Sequence, residues 1–367
     1  MRIVVKLGTS VLTGGTQRLH RPMLVEVARQ VSALRQQGHQ IILVSSAAIA
    51  AGRERLSKQR DPSTSESLTD KQVLAAIGQV HLMSHWQQTF DVYDTTIGQM
   101  LLTRADLDDR ERYLNARDTL EGLLAAGIVP VINENDAVAT AEIKVGDNDN
   151  LSASVAVLGS ADLLILLTDQ PGLMTANPAI DPAATLIRQV EVLDDTVWKL
   201  AGGATSGLGT GGMATKLQAA QTARSSGIDT VIAGIRRPDF LLRVIDGEPE
   251  HTAIPKTVSR LESRKRWILA GPSSSGKLLL DLGAVTAVLK NRKSLLAKGV
   301  TSVDGTFHRG DVVCLIAPDH STIARGLARY GSQELRKICG LHSDQILAEL
   351  GFHLGDAVVH RDDLVTF

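Results

Sequence analysis

The sequence has 367 residues, a length that suits two or three domains. Apolar residues make up 43% against 22% charged, which excludes a disordered chain. Lys plus Arg is 39 against 40 Asp plus Glu, for a net charge of -1, and aromatics are only 3%. Neither a basic nucleic-acid or membrane surface nor a stacking platform for single strands is supported by such a balance.

In chain order, the first predicted element is a strand over Ile3–Leu7 that runs into Gly8, Thr9 and Ser10. Leu24, Val27, Ala28, Val31 and Leu34 then recur at helical spacing until Gly38. Gln40–Ser46 is a strand apolar on both faces, as in a parallel sheet covered on both sides. Ser57–Asp70 is polar and reads as a surface connection. A long helix is predicted over Lys71–Phe90 with Val73, Leu74, Ile77 and Val80 inward, and another over Glu111–Ala126. The apolar run into Asn133–Asp136, a helix over Leu151–Leu158, a buried strand over Leu163–Asp169, a helix over Met213–Ser226 and a strand over Thr230–Gly234 follow. This alternation predicts an α/β fold, an open and mostly parallel sheet with ligands at the carboxyl ends of its strands.

The pattern changes near residue 255. Lys256–Trp267 is polar and basic, and short strand-like runs follow at Lys277–Leu280, Asp311–Ile316, Ser321–Ala328 and Asp356–His360. The expected division is therefore 1–255 for the α/β unit and 256–367 for a smaller β-rich domain. Cys314 and Cys339 form no CxxC pair and read as buried thiols. The N-terminus is too polar for a secretory leader and no apolar run spans a bilayer, so a soluble cytoplasmic protein is expected.

Three features point to chemistry. Lys6 lies inside an apolar strand, where burial without a counter-charge is costly, directly before a turn whose amides can cradle a phosphate. Asn133–Asp136 and Gly146–Asn150 concentrate carboxylates and amides; these can hold an ammonium group, a magnesium ion or a lysine, and spacing does not choose among them. The run Gly207–Lys216 opens a helix whose first amides suit phosphate oxygens, with Lys216 one turn in. It matches neither the P-loop nor the dinucleotide fingerprint. Two lysines, several carboxylates and two Gly-rich turns at strand ends are what phosphoryl transfer requires. His81 and His85, four apart without a glutamate between them, are discounted as a metal site, as is the short basic run Arg260–Arg266 as an RNA contact.

Val4–Gly15, Val44–Glu54, Gly98–Leu120, Pro130–Ala153, Leu166–Leu173 and Ser206–Lys216 closely resemble the bacterial glutamate 5-kinase family. The resemblance spans nearly the whole chain and implies an amino-acid kinase fold followed by a PUA domain. It implies ATP-dependent phosphorylation of the γ-carboxylate of L-glutamate to L-glutamyl 5-phosphate, the first step of proline biosynthesis, with magnesium delivered on the nucleotide. By family pattern Lys6 and Lys216 neutralise the phosphoryl group, Asp149 positions them, and Gly8 touches phosphoryl oxygens. Ser46, Asp136 and Asn148 match glutamate-binding positions, with Asp147 beside them. Thr168, Asp169 and the run Thr210, Gly211, Gly212, Met213, Ala214, Thr215 and Lys216 match residues beside the nucleotide. No protein-held metal, membrane or nucleic-acid partner is implied; feedback inhibition by proline, a dimer or tetramer and contact with glutamyl-phosphate reductase are.

One departure stands out. The family usually has glycine after Ser46, and this chain has Ala47. If Ala47 starts a helix, alanine suits it; a positive φ would count against that expectation. Pro171 is a second local change, expected to alter loop stiffness alone.

Overall fold

Uninterrupted aliphatic runs become strands buried on both faces, and amphipathic runs become the helices that cover them. The structure, a computed structural model, describes residues 1–56, 67–139, 148–202, 212–248, 250–259, 262 and 276–367. It divides into two units, Met1–Leu107 with Ala116–Val258, and Asp108–Asn115 with Ser259–Phe367.

The first unit and its continuation begin with β1 (Arg2–Leu7), α1 (Thr9–Thr13), α2 (Arg21–Gln36), β2 (Gln40–Ser45), α3 (Ala48–Leu56) and α4 (Leu68–Asp91). Then come β3 (Ile97–Leu102), α5 (Arg104–Asp108), α6 (Arg110–Ala125), β4 (Val129–Glu134), α7 (Asn148–Leu158) and β5 (Leu163–Thr168). The last are α8 (Asp195–Leu200), α9 (Met213–Ser225), β6 (Asp229–Gly234), α10 (Phe240–Ile245) and β7 (His251–Ile254). The seven strands lie in the order β3-β4-β2-β1-β5-β6-β7, parallel except for β7. Strand β3, with polar Gln99 and no clean apolar run, and the four-residue β7 carry little periodic signal and were not predicted.

Side-chain alternation gives the sheet two distinct faces. Ile3, Val5 and Leu7 of β1, Ile165 and Leu167 of β5, and Val231 and Ala233 of β6 share one core with α2, α4 and α10. Val4 and Lys6 therefore point to the other face, where α7 packs on β1 and against α9.

Helix α4 corrects two expectations. It starts at Leu68 rather than after Asp70, because Ser67 caps it and Asp70 closes the capping box. Its buried stripe is Leu74, Ala75, Gly78, Leu82, Trp86 and Phe90, while Val73 and Val80 are exposed and Ile77 is half-buried. The small residues turn inward because α3 crosses there with almost no separation: a Cβ on Gly78 would lie 1.8 Å from the Ala48 carbonyl oxygen. Of the segment Ser57–Asp70, residues 57–66 lie outside the described residues.

The second unit is β-rich, as its short runs predict. It comprises β8 (Gly276–Leu280), α11 (Leu282–Leu289), β9 (Leu295–Leu296), β10 (Val300–Gly305), β11 (Val312–Ile316) and β12 (Thr322–Leu327), then α12 (Ser332–Ile338), α13 (Ile346–Leu350), β13 (Ala357–Val359) and β14 (Leu364–Thr366). Five strands form one sheet, β10-β8-β11-β12-β14, and β13 pairs separately with β9. Phe307, Val313, Leu315, Tyr330 and Leu335 fill its core. Cys314 is buried in β11, but Cys339 is half-buried rather than buried; both are free thiols. Among the described residues no helix is long and apolar enough to cross a membrane.

Candidate active site

The strand order reverses at β1, with β2 and β4 on one side and β5 and β6 on the other. In an open parallel sheet that switch opens a crevice beyond the carboxyl ends of the strands. Lys6 is the penultimate residue of β1, beside Val44 of β2 and Leu166 of β5, so the topology itself brings a cation to the crevice.

Lys6 is buried to 4% exposure, Lys216 to 6% and Asp149 to 0%. Lys6 Nζ lies 2.5 Å from Asp149 Oδ1, and Lys216 Nζ donates to Asp149 Oδ2 at 3.2 Å. Thr215 Oγ1 donates to the same Oδ2 at 2.7 Å. Burial by itself would raise the Asp149 carboxyl; Lys6 and then Lys216 overcome it and hold the group below the ordinary carboxylate value. One buried carboxylate between two lysines leaves one positive charge uncompensated within the triad. Lys216 also stands in the first turn of α9, where the helix dipole opposes a cation. Both costs are relieved when an anion enters the crevice. Asp149 itself lies within the first turn of α7, so it is a buried carboxylate favoured by the helix dipole.

A hydrogen-bonded chain of side chains extends from this centre. Asn148 Nδ2 donates to Ser46 Oγ and to Asn133 Oδ1, both at 2.9 Å, and Asn133 Nδ2 donates to Gln79 Oε1 at 2.8 Å. Ser46 and Asn148, matched only by family pattern, are thus brought together. Gln79 was not anticipated, because a glutamine on a predicted helix reads as a solvated position.

Ala47, between Ser46 and α3, has φ 78° and is buried. The helix-start expectation for Ala47 is therefore corrected: α3 begins one residue later, and Ala47 occupies the left-handed region that favours glycine. Strain of this kind beside a polar cluster predicts that Ala47→Gly raises stability by about 1 kcal/mol, or roughly 2–4 °C in Tm. Thermal unfolding checks this, and a lower Tm in the glycine variant refutes it.

Asp136 lines a different part of the crevice, a cavity of about 240 Å³ shared with Ala48, Gln79, Gln99 and Glu134. Burial pushes its carboxyl up to about 6. It makes no hydrogen bond to Ser46 or Asn148 among the described residues, though Gln79 joins the cavity to their chain.

Thr168 ends β5, buried, and donates to Asp169 Oδ1 at 3.1 Å; Asp169 is exposed. Gly212 caps α9, and Met213 and Ala214 line its half-buried first turn. Gly8 leads into α1, where a Cβ would sit 3.4 Å from Lys6 Nζ. Asp147, Thr210 and Gly211 lie outside the described residues, as do most of Arg260–Arg266. His81 and His85 bond each other through Nε2 atoms 3.3 Å apart, and among the described residues no group of three metal-ligating side chains forms.

Two family models that match the chain agree with this architecture. The amino acid kinase family matches residues 1–234 and the PUA domain residues 276–350. A glutamate 5-kinase of Shewanella amazonensis is 57% identical over 99% of this chain and 95% of its own. One from Aliivibrio salmonicida is 56% identical over 99% of this chain and 98% of its own. A solved UMP kinase from Ureaplasma parvum covers 70% of this chain and 99% of its own, at 13% identity and TM-score 0.49. The chain belongs to the amino acid kinase family and, within it, to the glutamate 5-kinases.

Proposed function

We propose that this protein transfers the γ-phosphoryl group of ATP to the γ-carboxylate of L-glutamate, giving L-glutamyl 5-phosphate and ADP at the start of proline biosynthesis. The observation that carries this reading is the buried Lys6–Asp149–Lys216 triad at the strand-order switch. A carboxylate oxygen of glutamate attacks the γ-phosphorus while the bond from that phosphorus to the bridging oxygen of ADP breaks. The acceptor is already an anion, so no general base is required. Lys6 and Lys216 neutralise charge on the moving group, Asp149 holds both ammonium groups in place, and the turn at Gly8 admits phosphoryl oxygens. Thr168, Asp169 and the first turn of α9, with Thr210 and Gly211 ahead of it, flank the nucleotide.

Magnesium fits here as a companion of ATP. Both oxygens of the buried carboxylate face lysines, which suits phosphate oxygens as neighbours and not a protein-held cation.

Ser46, Asn148 and Asp136 hold glutamate, with Asp147 alongside, and Asp136 faces its ammonium group. Because burial raises the Asp136 carboxyl to about 6, it loses its charge as pH falls through that value. The expected result is a kcat/KM for glutamate that falls about tenfold per pH unit below 6. Asp136→Asn should lack that inflection; an unchanged profile refutes the assignment. The sign for stability is opposite, since a raised carboxyl binds its proton more tightly when folded, and stability falls as pH rises from 3.8 to about 6.

Proline is expected to compete in the same pocket, the chain to assemble as a dimer or tetramer in the cytoplasm, and glutamyl-phosphate reductase to receive the product. The division 1–255 and 256–367 is the functional one in this reading. Incubation with ATP, magnesium and glutamate, trapping the acyl phosphate with hydroxylamine, tests the activity. Background hydroxamate sinks it, and turnover insensitive to proline removes the regulatory part.

A further inference from the structure

A second cavity, of about 490 Å³, opens at the carboxyl end of β6 and the start of β7. Its floor is apolar, formed by Pro171, Leu186, Ala233, Phe240 and Val244. Its rim holds Arg188, Arg236, Arg237 and Arg243 with two glutamates and His251. Ala233 and Phe240 belong to the core beneath α2, the sheet face opposite Lys6, and Lys216 is held on α9 against α7. The cavity is therefore separate from the lysine triad.

The charges on the rim do not balance. Arg237 pairs with Glu250, and Arg243 with Glu248 at 2.6 Å. Arg188 and Arg236 are exposed at the rim and have no side-chain hydrogen bond or ion pair among the described residues. Burial lowers the His251 imidazole, so it adds no charge at neutral pH. Two unneutralised guanidinium groups over an apolar floor call for a ligand with about two negative charges and a ring or other apolar body. A phosphate monoester carries about −1.5 to −2 at neutral pH, and its oxygens match the guanidinium fork. The volume lies within the range of small-molecule sites, about 300–1,000 Å³.

We infer that this cavity binds a phosphate monoester carrying an aromatic ring, a nucleoside monophosphate or a smaller phosphorylated ring sharing that chemistry. Its Pro171 wall follows Asp169 by two residues. The chain just after Pro171 is tightly held: Leu173 N donates to Thr252 Oγ1 at 2.8 Å, and Thr252 Oγ1 donates to the Ile187 carbonyl at 2.6 Å. A Cβ on Gly234 would lie 2.8 Å from the Gln170 carbonyl oxygen. A ligand pressing on Pro171 therefore shifts Asp169, which the proposed function places beside the nucleotide.

The test is calorimetric titration of the full chain with phenyl phosphate, with a non-hydrolysable ATP analogue present at saturation. One site per chain is expected, with binding weakened at least tenfold in Arg188→Gln/Arg236→Gln, two exposed changes with little bearing on folding. Phenol and inorganic phosphate should each bind far more weakly than phenyl phosphate. AMP in the same titration separates the sources: tighter binding than phenyl phosphate supports a nucleotide, weaker binding the smaller ring. Absence of binding, equal affinity in the double variant, inorganic phosphate as tight as phenyl phosphate, or displacement by the analogue overturns the site. An unchanged KM for ATP at saturating phenyl phosphate overturns the coupling. Failure of the kinase assay leaves the titration standing, so the two readings fail separately.

Discussion

Asp149→Asn is expected to destabilise the kinase unit by about 3–5 kcal/mol and to slow phosphoryl transfer roughly 100-fold or more. The carboxylate is fully buried and contacts both lysines, so its loss leaves two ammonium groups in a low-dielectric interior without their counter-charge. The lysines then separate or lose protons, and either response misplaces the charge that the transferred group requires. For a unit of this size the loss corresponds to roughly 6–20 °C in Tm. A triple variant, Lys6→Met/Asp149→Leu/Lys216→Met, distinguishes fold from function. Apolar replacement of a buried ion cluster is often neutral or stabilising, so this variant should recover most of the Tm while remaining inactive. A loss below 1 kcal/mol in Asp149→Asn would sink the buried-charge argument. Hydroxamate formation by the triple variant would sink the role of the lysines.

The same carboxylate gives the protein an acid limit. Its folded value lies below the unfolded 3.8, so it binds its proton less readily in the native state. The stability it contributes is complete above the unfolded value and is lost as pH falls through the folded one. Asp149→Asn should therefore show a flatter decline of stability on the acid side, read by denaturant unfolding across pH.

What was legible in the sequence follows from where physics leaves a local mark. A lysine inside an otherwise aliphatic strand announces a counter-charge, and a carboxylate cluster ahead of an apolar helix offers one. Strands β1, β2 and β5 are long and apolar on both faces, which only a doubly covered sheet accommodates. Other features had no local mark. Strand β3 mixes Gly98 and Gln99 with aliphatics, and β7 is four residues of mixed character whose direction is set by the sheet edge. Gln79 acquires its role from Asn133, fifty-four positions away. The positive φ of Ala47 arises where β2 must turn into α3 beneath α4, so sequence preference for alanine at a helix start gave the wrong geometry. In α4 apolar periodicity selected Val73 and Val80, whereas close approach between helices selected Ala75 and Gly78.

That close approach carries the second large effect. Gly78→Ala is expected to destabilise the kinase unit by about 3 kcal/mol and to raise KM for glutamate about tenfold or more. A Cβ there would stand 1.8 Å from the Ala48 carbonyl oxygen and 2.4 Å from the Gly52 amide nitrogen, both backbone atoms with no rotamer to yield. Gly52 faces the same constraint in return, since its Cβ would meet the Leu74 carbonyl oxygen at 2.1 Å. Relief requires α3 to move as a body, and its first residue, Ala48, is two positions from Ser46 and also lines the Asp136 cavity. The displacement therefore reaches the Ser46–Asn148 hydrogen bond, so stability and glutamate affinity should fall together. Gly122→Ala provides the opposite case: this glycine lies within α6 with nothing inside 4 Å of the added atom. There alanine should stabilise by roughly 0.5–1 kcal/mol through helix propensity, with KM unchanged. Thermal unfolding and glutamate kinetics on the two variants decide the matter. A Gly78→Ala protein as stable as wild type, or one that loses stability while keeping its KM for glutamate, would show that the crossing of α3 and α4 does not set the geometry at Ser46.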